Sequence, residues 1–204
     1  MLEVPKRDRR SERHEATRAE ILEVAWLLAR TNGLAGLSLR DVAQQVGMQP
    51  PSLYSYFDSK NAIYDAMFAQ GAREYLRQEG RLVLTGELLA DLRMGLRFFA
   101  EFCTEDVVRY QLLFQRTIPG FEPSAASFAI AVEGLESLRV RLAETGFTDP
   151  RTVDLFTALG TGLVDQQISN DPGGDRWIRL IDDAAQMFHA YLSSPKTTRK
   201  KARA

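Results

Sequence analysis

The chain has 204 residues, 45% hydrophobic and 26% charged. This is the composition of a globular protein rather than a disordered one, and no apolar run is long enough to cross a membrane. The net charge of -1 conceals basic ends and an acidic middle: residues 1–60 carry nine basic and eight acidic groups, residues 61–195 twelve and 19, and residues 196–204 five and none. One cysteine, Cys103, excludes an intramolecular disulfide, and with only two distant histidines, His14 and His189, no zinc cage can form; no metal and no cofactor are expected.

Apolar residues recur at helical spacing almost throughout and no alternating run makes a convincing strand, so the sequence predicts an all-α protein. Thr17 followed by Glu20 reads as a capping box that opens a first helix, with Ile21, Leu22, Ala25, Leu28 and Ala29 on one face and Gly33 ending it. Ser38 caps a second, short helix with Leu39, Val42, Ala43 and Val46 facing inward, and Gly47 stands where the chain must turn left-handed. Pro50 and Pro51 fit only the first turn of a third helix, which ends near Phe57. Asp58 or Ser59 caps a long fourth helix reaching about Gln78. Further helices are expected near 87–103, 106–116, 124–145, 150–169 and 175–193, between turn clusters such as Pro119-Gly120 and Asp171 to Gly174.

Residues 38–57, SLRDVAQQVGMQPPSLYSYF, have the mechanics of a helix-turn-helix. Ala43 is small where two helices must cross, Gly47 makes the turn, and Val42, Val46, Leu53 and Phe57 close a core with Leu22, Leu28 and Leu39. Gln49, Ser52, Tyr54, Ser55 and Tyr56 are left pointing outward. Such groups can bond phosphate oxygens and base edges, or lay a ring on a thymine methyl. Lys60 begins the fourth helix, where its ammonium and the first-turn N–H groups together suit a phosphate. The same spacing also describes an ordinary glycine turn in an all-α protein, with Tyr54 and Tyr56 as packing residues.

The run VAQQVGMQPPSLYSYFDSKNAIYDAMF, within a match over residues 17–68, resembles the TetR family of transcriptional regulators. Its signature is Val-Ala-x-x-x-Gly followed by Leu-Tyr-x-x-Phe and, three residues later, Lys. The resemblance implies a homodimeric one-component regulator, read as a repressor, that binds a palindromic double-stranded operator and is released by a small molecule. It carries DNA contacts onto Ser52, Tyr54, Tyr56 and Lys60, backbone-phosphate contacts onto Ser38 and Arg40, and is consistent with Pro51. Gln49-Pro50 departs from the cationic residue common there, which leaves base preference at that end of the half-site undefined. The domains implied are a flexible basic arm at 1–16, a three-helix DNA-binding domain at 17–60, a ligand-binding and dimerisation domain at 61–194, and a basic tail at 195–204.

Residues 87–128 concentrate aromatics, which suit either an apolar ligand cavity or a packed core; the resemblance favours a cavity bordered by Phe68, Phe98, Phe99, Phe102, Tyr110, Phe114 and Phe128. Candidate polar anchors are Gln111, Gln115, Arg116 and Asp165. The last two helices are apolar on more than one face, which predicts a dimer interface through Phe156, Leu159, Leu163, Trp177, Leu180, Ile181 and Phe188. In the family such helices form a four-helix bundle with their symmetry mates, and Gly160 and Gly162 would permit close approach. Cys103 reads as a small core residue. Enzymatic readings fail: Gly160-Thr161-Gly162 follows no strand, no Gly-x-Ser-x-Gly elbow exists, and Asp182 and Asp183, being adjacent, point apart on a helix. A ligand-independent DNA-binding or protein-partner module with a filled core remains the alternative.

Overall fold

The computed structural model describes residues 9–194, which form nine α-helices and one 3-10 turn and contain no strand, as the periodicity predicts. The first helix, α1, spans Arg9–Asn32 and so begins before Thr17. Thr17 is interior to it and its hydroxyl donates back to the Arg13 carbonyl at 3.1 Å, so the expected capping box does not open the helix. Residues 9–16 are rich in Arg and Glu and contain no breaker, and helix propensity carries the segment past the local cap signal. Part of the expected arm is therefore helical; residues 1–8 and the basic tail at 195–204 lie outside the described residues.

The short helix α2, Leu39–Val46, is capped by Ser38, whose side chain accepts from the Asp41 N–H, and ends at Gly47 with φ of 78°, a conformation that favours glycine. The proline-led helix α3 covers only Pro50–Leu53, shorter than expected, and the chain continues as turns through Tyr56. Ser59 caps α4, Lys60–Glu79, accepting from the Ala62 N–H at 3.1 Å. These elements share one core, in which Ile21, Ala25, Trp26 and Ala29 of α1 meet Val42, Ala43, Leu53, Phe57, Ile63, Tyr64, Met67 and Phe68. Leu22, Leu28 and Leu39, expected to complete this core, pack partly buried at its edge together with Val46. The first half of α4 thus belongs to the N-terminal core, and the boundary expected at residue 60 falls where that shared helix starts.

The remaining helices are α5, Leu88–Glu105; α6, Val107–Phe114; α7, Ala125–Glu144; α8, Pro150–Asn170; and α9, Ile181–Leu192. Their starts, up to α8, are set by acceptor side chains that satisfy the orphan N–H groups: Glu87 for α5, Asp106 for α6, Ser124 for α7 and Asp149 for α8. The stretch expected as one helix over 175–193 is divided into a 3-10 turn, Ile178–Leu180, and α9. The cause is the preceding turn, where Gln167 accepts from Trp177 N–H at 2.9 Å and Asp171 from Arg176 N–H at 2.9 Å. A second core joins α5, α6, α8 and α9 through Leu92, Leu96, Phe102, Tyr110, Phe156, Val164, Ile181 and Phe188. Cys103 is buried there, as expected, and burial pushes its thiol well above the usual range.

Polar contacts fasten α1, α6 and α7 around α4. Arg30 donates twice to Asp106, at 2.6 and 3.0 Å, and the Trp26 indole N–H donates to Gln70 at 2.9 Å. The Tyr64 hydroxyl donates to the Leu34 carbonyl. On the far side, Asp65 accepts from Ser124 N–H at 2.6 Å, from the Ser124 hydroxyl at 3.0 Å and from the Ser127 hydroxyl at 2.8 Å, fixing the start of α7 on α4. Asp65→Ala removes the acceptor of all three donors, and urea unfolding is expected to show a loss of about 1–3 kcal/mol. An unchanged midpoint would mean that water replaces the carboxylate without cost.

Candidate nucleic-acid interface and ligand cavity

The outer surface of α2, α3 and the following turn presents Arg40, Gln44, Gln45, Gln49, Pro51, Ser52, Tyr54 and Ser55, all exposed. The short α3 has one buried side chain, Leu53, so its remaining residues are free to face outward. Ser38 is half-buried, with its hydroxyl committed to the α2 cap. Tyr56 is half-buried too: its ring stacks on His14 of α1, with centroids 4.6 Å apart. Its carbonyl accepts from Arg18, whose guanidinium lies 4.0 Å from the Phe57 ring centroid. His14, expected on a flexible basic arm, reaches Tyr56 because α1 begins at Arg9, whereas Arg18 lies within the helix already expected from Thr17. Lys60 stands at the first turn of α4, but its ammonium donates to the Ala35 carbonyl at 3.1 Å and lies 5.4 Å from the Tyr64 ring centroid. In this structure that ammonium closes a turn of its own chain rather than reaching outward.

A cavity of about 750 Å³ lies between the second half of α4 and helices α5, α6, α7 and α8. Phe68, Phe98, Phe99, Phe114 and Phe128 line it as expected, joined by Tyr75, Phe121 and Phe156. Phe102, Tyr110, Gln111 and Asp165 do not. Phe102 and Tyr110 are fully buried in the second core, and Gln111 and Asp165 also stand away from the cavity wall. Tyr110 and Asp165 satisfy each other instead: the phenol donates to the carboxylate at 2.5 Å and Gln115 donates to the same oxygen at 2.7 Å. Burial and then this hydrogen bond push the Tyr110 hydroxyl well above its ordinary value. Of the other expected anchors, Gln115 and Arg116 do line the cavity.

One polar group deep in the wall had no sequence signal. Glu79, 7% exposed, pairs with Arg141 across α4 and α7, and Arg141 also donates to the Ser137 carbonyl at 3.3 Å. Burial holds the Arg141 guanidinium below its usual range. One turn before Glu79, the ring of Tyr75 lies against Gly134 of α7, where a Cβ would come within 3.1 Å of Tyr75 Cε1. The same ring meets Phe98, Phe102 and Phe114 at 5.2, 5.1 and 5.9 Å. Burial pushes the Tyr75 hydroxyl up to about 12, and it makes no hydrogen bond among the described residues.

The expected interface residues divide. Phe156, Ile181 and Phe188 are buried inside the chain's own second core, and Leu159, Leu163, Trp177 and Leu180 are half-buried. A Cβ on Gly160 would come within 3.4 Å of Leu96 and Phe99 of α5, so this glycine faces the chain's own core, whereas a Cβ on Gly162 would meet open space. The large apolar side chains that do stand outside on α8 and α9 are Leu155, Met187 and Tyr191, at 44%, 61% and 43% exposure. Among the described residues no group of His, Cys, Asp or Glu could hold a metal, and no helix is long and apolar enough to cross a membrane.

Residues 21–67 match the family model described as bacterial regulatory proteins, tetR family, so the chain carries the helix-turn-helix domain of that family of transcriptional regulators. Among solved structures, one similar to this chain is a protein with unknown function from Rhodococcus sp. RHA1, at TM-score 0.74 and 17% identity, covering 87% of this chain and 96% of that one. The TetR family transcriptional regulator PfmR from Thermus thermophilus is similar at TM-score 0.59 and 21% identity, covering 82% and 96%. The multidrug binding protein EbrR, complexed with imidazole, is similar at TM-score 0.62 and 20% identity, covering 95% and 99%. At these identities the likeness is one of fold.

Removing one partner of a buried ion pair strands the other charge, whereas replacing both with apolar residues of similar volume is often neutral. Glu79→Ala is expected to cost about 3 kcal/mol in urea unfolding, and Glu79→Leu combined with Arg141→Met to recover most of that loss. Equal losses in the single and double variants would show that the pair itself stabilises the fold.

Proposed function

We propose that this tetR-type regulator binds a palindromic DNA operator as a homodimer and releases it when a small apolar or amphipathic molecule occupies the cavity. The observation that carries the reading is the position of α4. Its first half is buried with the helix-turn-helix, at Ile63, Tyr64 and Met67, while Ala72, Tyr75 and Glu79 of its second half line the cavity. One rigid helix thus belongs to both sites. A guest that prefers one tilt of α4 over another shifts the equilibrium between DNA-competent and DNA-incompetent arrangements, and a differential of about 1–3 kcal/mol gives a roughly 5- to 150-fold change in affinity. The size of the cavity favours this reading over a ligand-independent module with a filled core. No residue is assigned a catalytic role.

The proposed division of labour on DNA follows exposure. Gln49, Pro51, Ser52 and Tyr54 face the groove, while Ser38, Arg40 and Tyr56 meet the backbone. Lys60 contacts phosphate by exchanging the Ala35 carbonyl for a phosphate oxygen. Dimerisation uses the outer faces of α8 and α9, where Leu155, Ala158 and Gly162 lie on one face of the first and Met187, Ala190 and Tyr191 are exposed on the second. The half-buried Leu159, Leu163 and Leu180 border that surface, and Phe156, Ile181 and Phe188 support it from within.

Two measurements test this reading. With an operator recovered by selection from random duplexes, Lys60→Ala is expected to weaken binding similarly across sequences and to lower the salt slope by about one per subunit, and Tyr54→Phe to change the preference among half-site variants. An unchanged salt slope removes Lys60 from the interface. Sedimentation equilibrium should show a dimer for the native chain and a monomer with lost operator affinity for Leu155→Glu; a native monomer at micromolar concentration would overturn the dimer.

A further inference from the structure

The charges around the cavity are already spent. Glu79 and Arg141 neutralise each other in the deep wall. Asp91 accepts from Thr85 N–H and hydroxyl, each at 2.8 Å, and from Gly86 N–H at 3.1 Å. Arg116 and Glu122 face each other at 3.7 Å on the rim, with side chains 93% and 80% exposed. An anionic guest would have to share Arg141 with Glu79, setting two negative charges against one guanidinium; a cationic guest would compete with Arg141 for Glu79. Either exchange leaves one charge uncompensated in an apolar wall, which is the expensive outcome for a buried pair.

Hydrogen-bond donors, by contrast, are left over at the same spot. A guanidinium offers five N–H groups. Arg141 uses Nε on the Ser137 carbonyl and Nη2 on Glu79, and no other hydrogen bond of Arg141 is made among the described residues. The Tyr75 hydroxyl, one turn away on α4, donates to none of the described residues. Around these donors the wall is aromatic: Phe98 and Phe114 touch the Tyr75 ring, and Phe99 meets Phe114 with centroids 5.3 Å apart.

We infer that the molecule received by this cavity is uncharged and largely apolar and carries a carbonyl oxygen, which accepts from the Tyr75 hydroxyl and the Arg141 guanidinium while its apolar body lies among Phe98, Phe99 and Phe114. The inference rests on the reading of the cavity as the effector site and specifies its chemistry. Tyr75 acts as the discriminating group, since its hydroxyl can also donate to a neutral oxygen without disturbing the Glu79–Arg141 pair.

The test uses the full chain and displacement of the neutral fluorophore N-phenylnaphthylamine by three molecules of equal chain length: decanamide, decanoate and decyltrimethylammonium. Decanamide is expected to displace the fluorophore at roughly one-tenth the concentration needed by either charged molecule, because only it leaves the ion pair intact. In Tyr75→Phe, decanamide should weaken roughly threefold to tenfold more than the fluorophore does, the loss of one hydrogen bond. If decanoate or decyltrimethylammonium competes as well as decanamide, the neutral class is wrong while the cavity stands. A Tyr75→Phe variant that weakens decanamide no more than the fluorophore removes the hydroxyl from recognition. If the native chain binds neither the fluorophore nor any of the three, the cavity reading itself fails.

Discussion

Everything in this molecule is arranged around α4, whose first half is buried in the N-terminal core and whose second half walls the cavity and meets the second core through Tyr75. Ile63, Tyr64, Met67 and Phe68 complete the N-terminal core, which three short or one-sided helices could not close alone. A helix of 20 residues spans about 30 Å, so the end that carries Lys60 and the end that carries Glu79 are far apart yet mechanically one body. Gln70 fixes its middle to Trp26, Asp65 fixes it to the start of α7, and Gly71 lets Leu113 of α6 come within about 3.3 Å of where a Cβ would stand. The wall of the cavity and the seat of the helix-turn-helix therefore cannot be displaced independently.

What could be read from the sequence was whatever local chemistry decides. Ser38, Gly47, Pro50 and Ser59 set their helix ends by short-range rules, and they do so in the structure. Thr17 fits the same rule and fails, because no breaker precedes it and the helix runs on from Arg9. The consequences reach the site: His14 comes to rest on Tyr56 only because that extra length exists.

Contacts between distant positions were not legible. Tyr110 and Asp165 stand 55 residues apart, and side chains with polar tips near an aromatic run suggest ligand anchors until the fold shows that they are each other's partners. Glu79 and Arg141, 62 residues apart, gave no signal, since each alone reads as a solvated charge on a helix. The expected interface residues divide for a related reason. Periodicity reveals that α8 and α9 are apolar on more than one side but not which side turns inward, and the bulkiest residues, Phe156, Ile181 and Phe188, are those that the chain's own core consumes. Leu155, Met187 and Tyr191 are what remains outside.

The strength of each tie decides where the structure can yield under the proposed regulation. Helix α6 contributes Leu112 to the N-terminal core and Tyr110 to the second, and Leu112, Leu113 and Phe114 to the cavity wall. Its start is held by Asp106, which caps it through one oxygen and binds Arg30 through the other. Arg30 is half exposed, so that ion pair is worth at most about 1 kcal/mol and water can replace it. At the other end, Gln115 donates to Asp165, the carboxylate that also takes the buried Tyr110 hydroxyl from the middle of the helix, and these donors cannot be released without stranding a polar group. A guest pressing on Phe114 therefore meets a helix firmly fixed near its C-terminal half and loosely fixed at its start. The response runs toward Arg30 and the end of α1, which is the side on which the helix-turn-helix stands.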